Sequence, residues 1–235
     1  MFTSQQLGAL SAVNFLRYGI LHAIEAGVPQ NTIVLLLLFP LIVTLIAAAR
    51  HLFGLRGFGI FTPAVIAVAF LSTGLALGLG LFLGTLAIAA VSRASTRVLK
   101  LQYLPRLSLL ILFISIGLLA AFLLVPITQG LTFAGQRLDL KGAGIFPILL
   151  LILLTETFIS AEISHGVRFA LRITVETLFL AVISYLIMDL KIIQSWVLFH
   201  PEATIISLAA GNILLGRFTG LRLLEYWRFR ELLRK

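Results

Sequence analysis

The amino-acid sequence predicts an all-α protein: a polytopic membrane helix bundle of seven transmembrane segments, with an N-terminal amphipathic helix and a basic C-terminal helix. Of 235 residues, 60% are hydrophobic and 11% charged, and mean hydropathy is +1.11. Soluble domains carry about 25% charged residues, so too few polar side chains remain here to cover a soluble globule. Apolar runs recur near the ~20 residues needed to cross ~30 Å of hydrocarbon. The cations also divide unevenly between alternate loops, as they do in membrane proteins.

The first segment, residues 4–26, mixes Leu7, Leu10, Val13, Leu21 and Ile24 with Gln5, Asn14, Arg17, His22 and Glu25. It is too polar for a comfortable span and reads as an interfacial amphipathic helix, ended by Gly27 and Pro29. Seven apolar segments follow at 32–49, 58–73, 74–92, 107–127, 144–163, 172–188 and 201–215. The second is short and carries Pro63 near its start, where a first helical turn tolerates proline. The third carries Gly74/Gly78 and Gly80/Gly84 at the GxxxG spacing that lets helix backbones approach. The sixth carries a small-residue stripe, Thr174, Thr177, Ala181 and Ser184. The whole reads as one domain, with the bundle at 32–215 and a cytoplasmic basic helix at 216–235. Segments two and three could instead form a re-entrant hairpin without altering loop parity.

Loop parity sets the orientation. Fourteen of the eighteen Lys and Arg fall on one side, including Arg50, Arg56, Arg93, Arg106, Arg168, Arg217 and the C-terminal cluster. The positive-inside rule makes that side cytoplasmic, with the N-terminus outside and the C-terminus inside. The net charge of +9 then reflects retained cytoplasmic cations rather than nucleic-acid binding. The absence of cysteine excludes disulfides, thiol catalysis and Cys-ligated metals.

Ionisable residues at membrane depth carry the functional information, because a charge at mid-bilayer costs at least ~2.5–3.5 kcal/mol and seeks a partner. Glu156 lies about nine residues from its segment's cytoplasmic end, roughly 13 Å at 1.5 Å per residue. Three readings fit it: an ion pair with Arg50, Arg56 or Arg217, a place in a proton or substrate path, or a neutral acid without a partner. Glu156 and Glu162 sit about 120° apart around the helix, which disfavours a carboxylate dyad. Glu156 instead shares a stripe with Ser160 and Ser164. Glu162 and His165 read as nearer the membrane surface, Glu176 as a partner of Arg172 one turn away, and Asn212 as hydrogen-bonded to a neighbouring helix. HExxH, GxSxG and Walker A patterns are absent, and the four scattered histidines argue against a metal cluster. No catalytic residue, metal or cofactor is expected. At the C-terminus Leu223, Leu224, Trp227 and Leu232 interleave with Arg222, Arg228, Arg230, Arg234 and Lys235. That pattern suits a helix on the cytoplasmic leaflet, touching lipid or a partner, and Arg106 faces the same compartment.

Four runs occur in order: PLIVTLIAAARHLFGLRGFGIFTPAVIAVAF, LPRLSLLIL, FPILLLILLTETF and GRFTGLRLLEYWRFREL. This ordered set resembles the bacterial seven-transmembrane domain usually fused behind an inactive transglutaminase-like domain, over roughly residues 28–233. By position, the resemblance marks Arg50, Gly54, Phe58, Gly59, Pro63, Pro105, Arg106, Glu156, Gly216, Arg217, Thr219, Gly220, Arg222, Arg228 and Arg230. Where that family often places a basic residue after the glutamate, this chain has Thr157, so a partner from another helix is expected. The resemblance implies a membrane module rather than an enzyme, here either a stand-alone version or a fragment. The expected function is a bacterial inner-membrane scaffold or partner subunit, linked to ATP-grasp ligase and protease peptide-modification systems. Its expected partners are membrane lipids, an ATP-grasp-type ligase or a separate transglutaminase-like protein, and no nucleic acid. The alternative is a transporter or channel for a small peptide or amino-acid derivative using Glu156.

Overall fold

The computed structural model describes residues 15–96, 102–124, 132–133, 136–137 and 145–217. Among them lie nine helices: α1 Phe15–Glu25, α2 Gln30–Phe53, α3 Phe61–Thr73, α4 Leu75–Thr96, α5 Tyr103–Leu124, α6 Ile145–His165, α7 Val167–Asp189, α8 Lys191–Phe199 and α9 Pro201–Arg217. A two-residue antiparallel pair, β1 Thr132–Phe133 and β2 Gln136–Arg137, sets Thr132 opposite Arg137. The protein is helical, and each of the seven predicted apolar segments coincides with a helix. Residues 4–14 of the expected amphipathic helix and 218–235 of the expected basic helix lie outside the described residues.

Among the described residues three helices are long and apolar enough to cross a membrane alone: α2, α4 over Leu75–Arg93, and α7. The α8–α9 pair passes the same test jointly, with a 100° bend between its members. Helix α3 has 13 residues, about 20 Å at 1.5 Å per residue, and falls short of the hydrocarbon thickness. The chain forms two compact units, one of Met1–Arg56 with Leu186–Lys235 and one of Gly57–Tyr185.

In the first unit α2 packs on α8 and α9. Its Leu38, Ile42 and Ile46 are fully buried, as the i, i+4, i+8 spacing of one helix face requires. Pro40 inside α2 lacks an N–H; nearby, Thr44 Oγ1 donates to the Pro40 carbonyl at 2.9 Å. Gly54 ends the helix in the left-handed region, φ 71°, with its N–H on the Arg50 carbonyl, the usual glycine C-cap. Helix α8 was not expected from the sequence, which reads as a connection there. It forms because Leu190 opens a new helical start, while Gln194 Nε2 donates back to the Met188 carbonyl of α7 at 2.7 Å. Pro201 then stops α8. Proline disfavours the α region for the residue before it, and His200 sits at φ −129°, ψ 58°. Pro201 itself fits the first position of α9.

The second unit has two apolar clusters. One joins Ala89, Leu110, Ile114, Leu118, Phe158, Ile159 and Ala170. The other joins Ile66, Phe70, Phe82 and Ala181. The glycine pairs of segment three divide differently from expectation. Gly74 is the turn between α3 and α4, φ 83°. A Cβ on Gly78 would come within 2.5 Å of Phe70, whereas Gly80 and Gly84 face open space. Residues 78 and 80 are 200° apart on a helix, so both pairs cannot serve one interface. The close α4–α5 approach is made by Gly117 instead, whose added Cβ would meet Ile88 at 2.7 Å.

Candidate functional site

Arg93 sits in the last turns of α4 and Glu162 in the last turn of α6. Their side chains form an ion pair, at 8% and 11% exposure. A buried cation and carboxylate each face a desolvation cost of several kcal/mol that mutual attraction must offset, and here each supplies the other's counter-charge. The sequence reading placed Glu162 nearer the membrane surface than Glu156 and named no partner for it. The sequence could not show that α4 brings Arg93 past this face of α6.

Glu156 lies two turns earlier on α6 and is half-buried, with Ser160 one turn beyond it on the same face. Among the described residues Glu156 makes no ion pair. Ser164 Oγ donates to the Ser160 carbonyl at 2.8 Å, while His165 stacks on Phe169 at 4.6 Å, so the adjacent Ser164 and His165 side chains are engaged separately. Arg172 Nε reaches Glu176 Oε1 at 3.2 Å, with the arginine largely exposed. This is the helical pair expected from their spacing.

The stretch between α2 and α3 is held by backbone contact. The Phe58 N–H donates to Thr177 Oγ1 of α7 at 2.8 Å. A Cβ at Gly57 would lie 3.0 Å from the same Oγ1 and 3.5 Å from the Thr177 Cα. Thr177 Oγ1 in turn donates to the Ile173 carbonyl at 2.8 Å, so its hydroxyl both donates and accepts, as a hydroxyl can. Thr174, Thr177, Ala181 and Ser184 are all buried. The stripe read from the sequence is a packing face, and at Thr177 it is also a receptor for the loop.

In the first unit Asn212 Nδ2 donates to Thr44 Oγ1 of α2 at 2.8 Å and to the Leu208 carbonyl at 2.9 Å. Beside this bridge α2 and α9 line an apolar cavity of about 500 Å³, with Leu41, Leu45 and Ala48 facing Leu208, Leu214 and Leu215. Arg50, Arg56 and Arg217 belong to this unit, Glu156 and Ser160 to the other. Arg56 and Arg217 are exposed and Arg50 is half-buried. Arg106, near the start of α5, is half-buried. Arg222, Arg228, Arg230 and Arg234 lie outside the described residues. No group of three or more His, Asp or Glu side chains able to hold a metal occurs among the described residues.

Apolar helices of spanning length, a buried interhelical ion pair and a buried polar stripe on α7 define an integral α-helical membrane protein. More particularly, the chain belongs to the family described as seven transmembrane helices usually fused to an inactive transglutaminase, which matches residues 4–233. No curated protein and no solved structure matches the chain.

Proposed function

We propose that the protein is a non-enzymatic scaffold or partner subunit of the bacterial inner membrane. In this reading it crosses the membrane seven times, with the N-terminus outside and the C-terminus in the cytoplasm. The α1 region lies at the outer interface, and the basic residues after α9 contact anionic lipid or a cytoplasmic partner. An ATP-grasp-type ligase and a separate transglutaminase-like protein are the partners to seek. The observation that carries the reading is the Arg93–Glu162 pair: a buried charge pair between two helices is spent on joining them, not on chemistry. The family's usual fusion to an inactive transglutaminase supports the same view. The test is co-purification from native membranes, with identification of bound proteins. Recovery of a stoichiometric cytoplasmic or extracytoplasmic enzyme is expected; a chain that purifies alone and turns over a lipid or peptide overturns it.

Glu156 favours one second reading, a transporter or channel for a small peptide or amino-acid derivative, because it is half-buried and unpaired among the described residues. Glu156→Gln decides between them. Loss of proton-coupled uptake in proteoliposomes with folding intact supports transport, whereas absence of flux in the parent protein removes it.

A further inference from the structure

Helix α8 carries two opposed faces. Val197 and Leu198 are buried, at 0% and 3% exposure, with Ile193 and Gln194 half-buried beside them. At the i, i+4 and i+7 positions of the other face, Ile192 is 79% exposed, Trp196 48% and Phe199 37%. An outward row of a large aliphatic and two aromatic side chains on a nine-residue helix is costly in water.

The setting of α8 says what covers that row. Leu190 alone separates it from α7, a helix of spanning length, so α8 begins where the chain leaves a membrane crossing. Its direction is held at both ends. Gln194 bonds the Met188 carbonyl near the end of α7, and the His200–Pro201 junction turns the chain by 100° into α9. Helix α9, Pro201–Arg217, has 17 residues, about 25 Å at 1.5 Å per residue, and passes the spanning test only together with α8. A helix at 100° to it cannot extend the crossing and runs along the membrane plane. Polar groups gather at the same elbow. The Arg17 N–H donates to Glu202 Oε1 at 2.9 Å, the Arg17 guanidinium lies 5.8 Å from the centre of the Phe199 ring, and His200 stacks on Trp196. Aromatic rings with one apolar side and one polar neighbour are typical of the lipid–water boundary.

We infer that α8 is a lipid-binding elbow. It lies flat at the boundary between headgroups and acyl chains, with Ile192 and Trp196 in the lipid and Val197 and Leu198 on the protein. It sets the depth at which α7 and α9 enter the bilayer.

The chain has two tryptophans, so Trp227→Phe leaves Trp196 as the sole tryptophan, excited selectively over the tyrosines at the red edge of the absorption band. In proteoliposomes carrying lipids brominated at successive acyl positions, Trp196 emission should be quenched most by the shallow positions, at a depth of about 5–10 Å below the headgroups. Strongest quenching by chain-end bromines would place α8 inside the bilayer and overturn the inference. So would quenching by aqueous acrylamide without quenching by lipid. A second measurement does not depend on that variant. The protein lacks cysteine, so Ile192→Cys accepts a single spin label at an exposed position. Its relaxation should be enhanced more by oxygen than by a water-soluble nickel complex. The reverse order defeats the inference, as does dipolar broadening between labels, which would show that a second copy covers the face.

Discussion

Arg93 on α4 and Glu162 on α6 meet as an ion pair with both side chains close to nine-tenths buried. The contact joins the C-terminal ends of two helices that loop parity places on the same side of the membrane. Removing Arg93 takes from the buried Glu162 carboxylate its counter-charge, and breaking a buried pair costs about 3–5 kcal/mol. Arg93→Met and Glu162→Gln should each lower the unfolding midpoint in detergent sharply. The double variant should recover much of the loss, since a buried pair replaced on both sides is often neutral. Equal losses for the singles and a larger, additive loss for the double would show that the two side chains act independently.

The loop after α2 depends on Thr177 in the same measurable way. Thr177→Val keeps the shape but removes the acceptor for the Phe58 N–H, and an unsatisfied buried donor costs about 1–3 kcal/mol. Thr177→Ser should keep most of the stability. Gly57→Val should destabilise as well, because its Cβ would be only 3.0 Å from Thr177 Oγ1, and its branch would have to displace the helix backbone. Thermal unfolding of the three variants checks the order; a Thr177→Val protein as stable as the parent would remove the hydrogen bond from the account.

The Asn212–Thr44 bridge should contribute far less. Interhelical side-chain hydrogen bonds in membranes average about 0.6 kcal/mol, because the separated helices find other partners. A double-mutant cycle with Asn212→Leu and Thr44→Val is expected to return a coupling near that size. A coupling of several kcal/mol would mean the pair organises the α2–α9 contact rather than decorating it.

Orientation is testable without purification. A cytoplasm-active reporter fused after Lys235 should give signal, and a periplasm-active reporter at the same position should not. The opposite pair of results would reverse the proposed topology.

Much of the helical layout was legible beforehand. The seven apolar runs each coincide with a helix, although Gly74, read as half of a packing pair, is the turn between α3 and α4. The i, i+4 pair of Arg172 and Glu176 followed from spacing alone. Helix α8 was not legible. Nine residues with apolar side chains on both faces, between two long apolar runs, have no length signal to separate a short helix from a connection. The GxxxG pairs misled for a related reason, since spacing within one helix says that two residues share a face but not which neighbour meets it.

Composition and run lengths are sums over the chain, and they were enough to make this an α-helical membrane protein. Which buried groups meet is a different quantity. It depends on the rotation of each helix about its axis and on how far each slides past its neighbours. Those are settled only when side chains pack. So Glu162 rather than Glu156 found a buried arginine, Gly117 rather than Gly80 made room for a neighbour, and the 100° elbow at His200 left an apolar face turned toward the lipid.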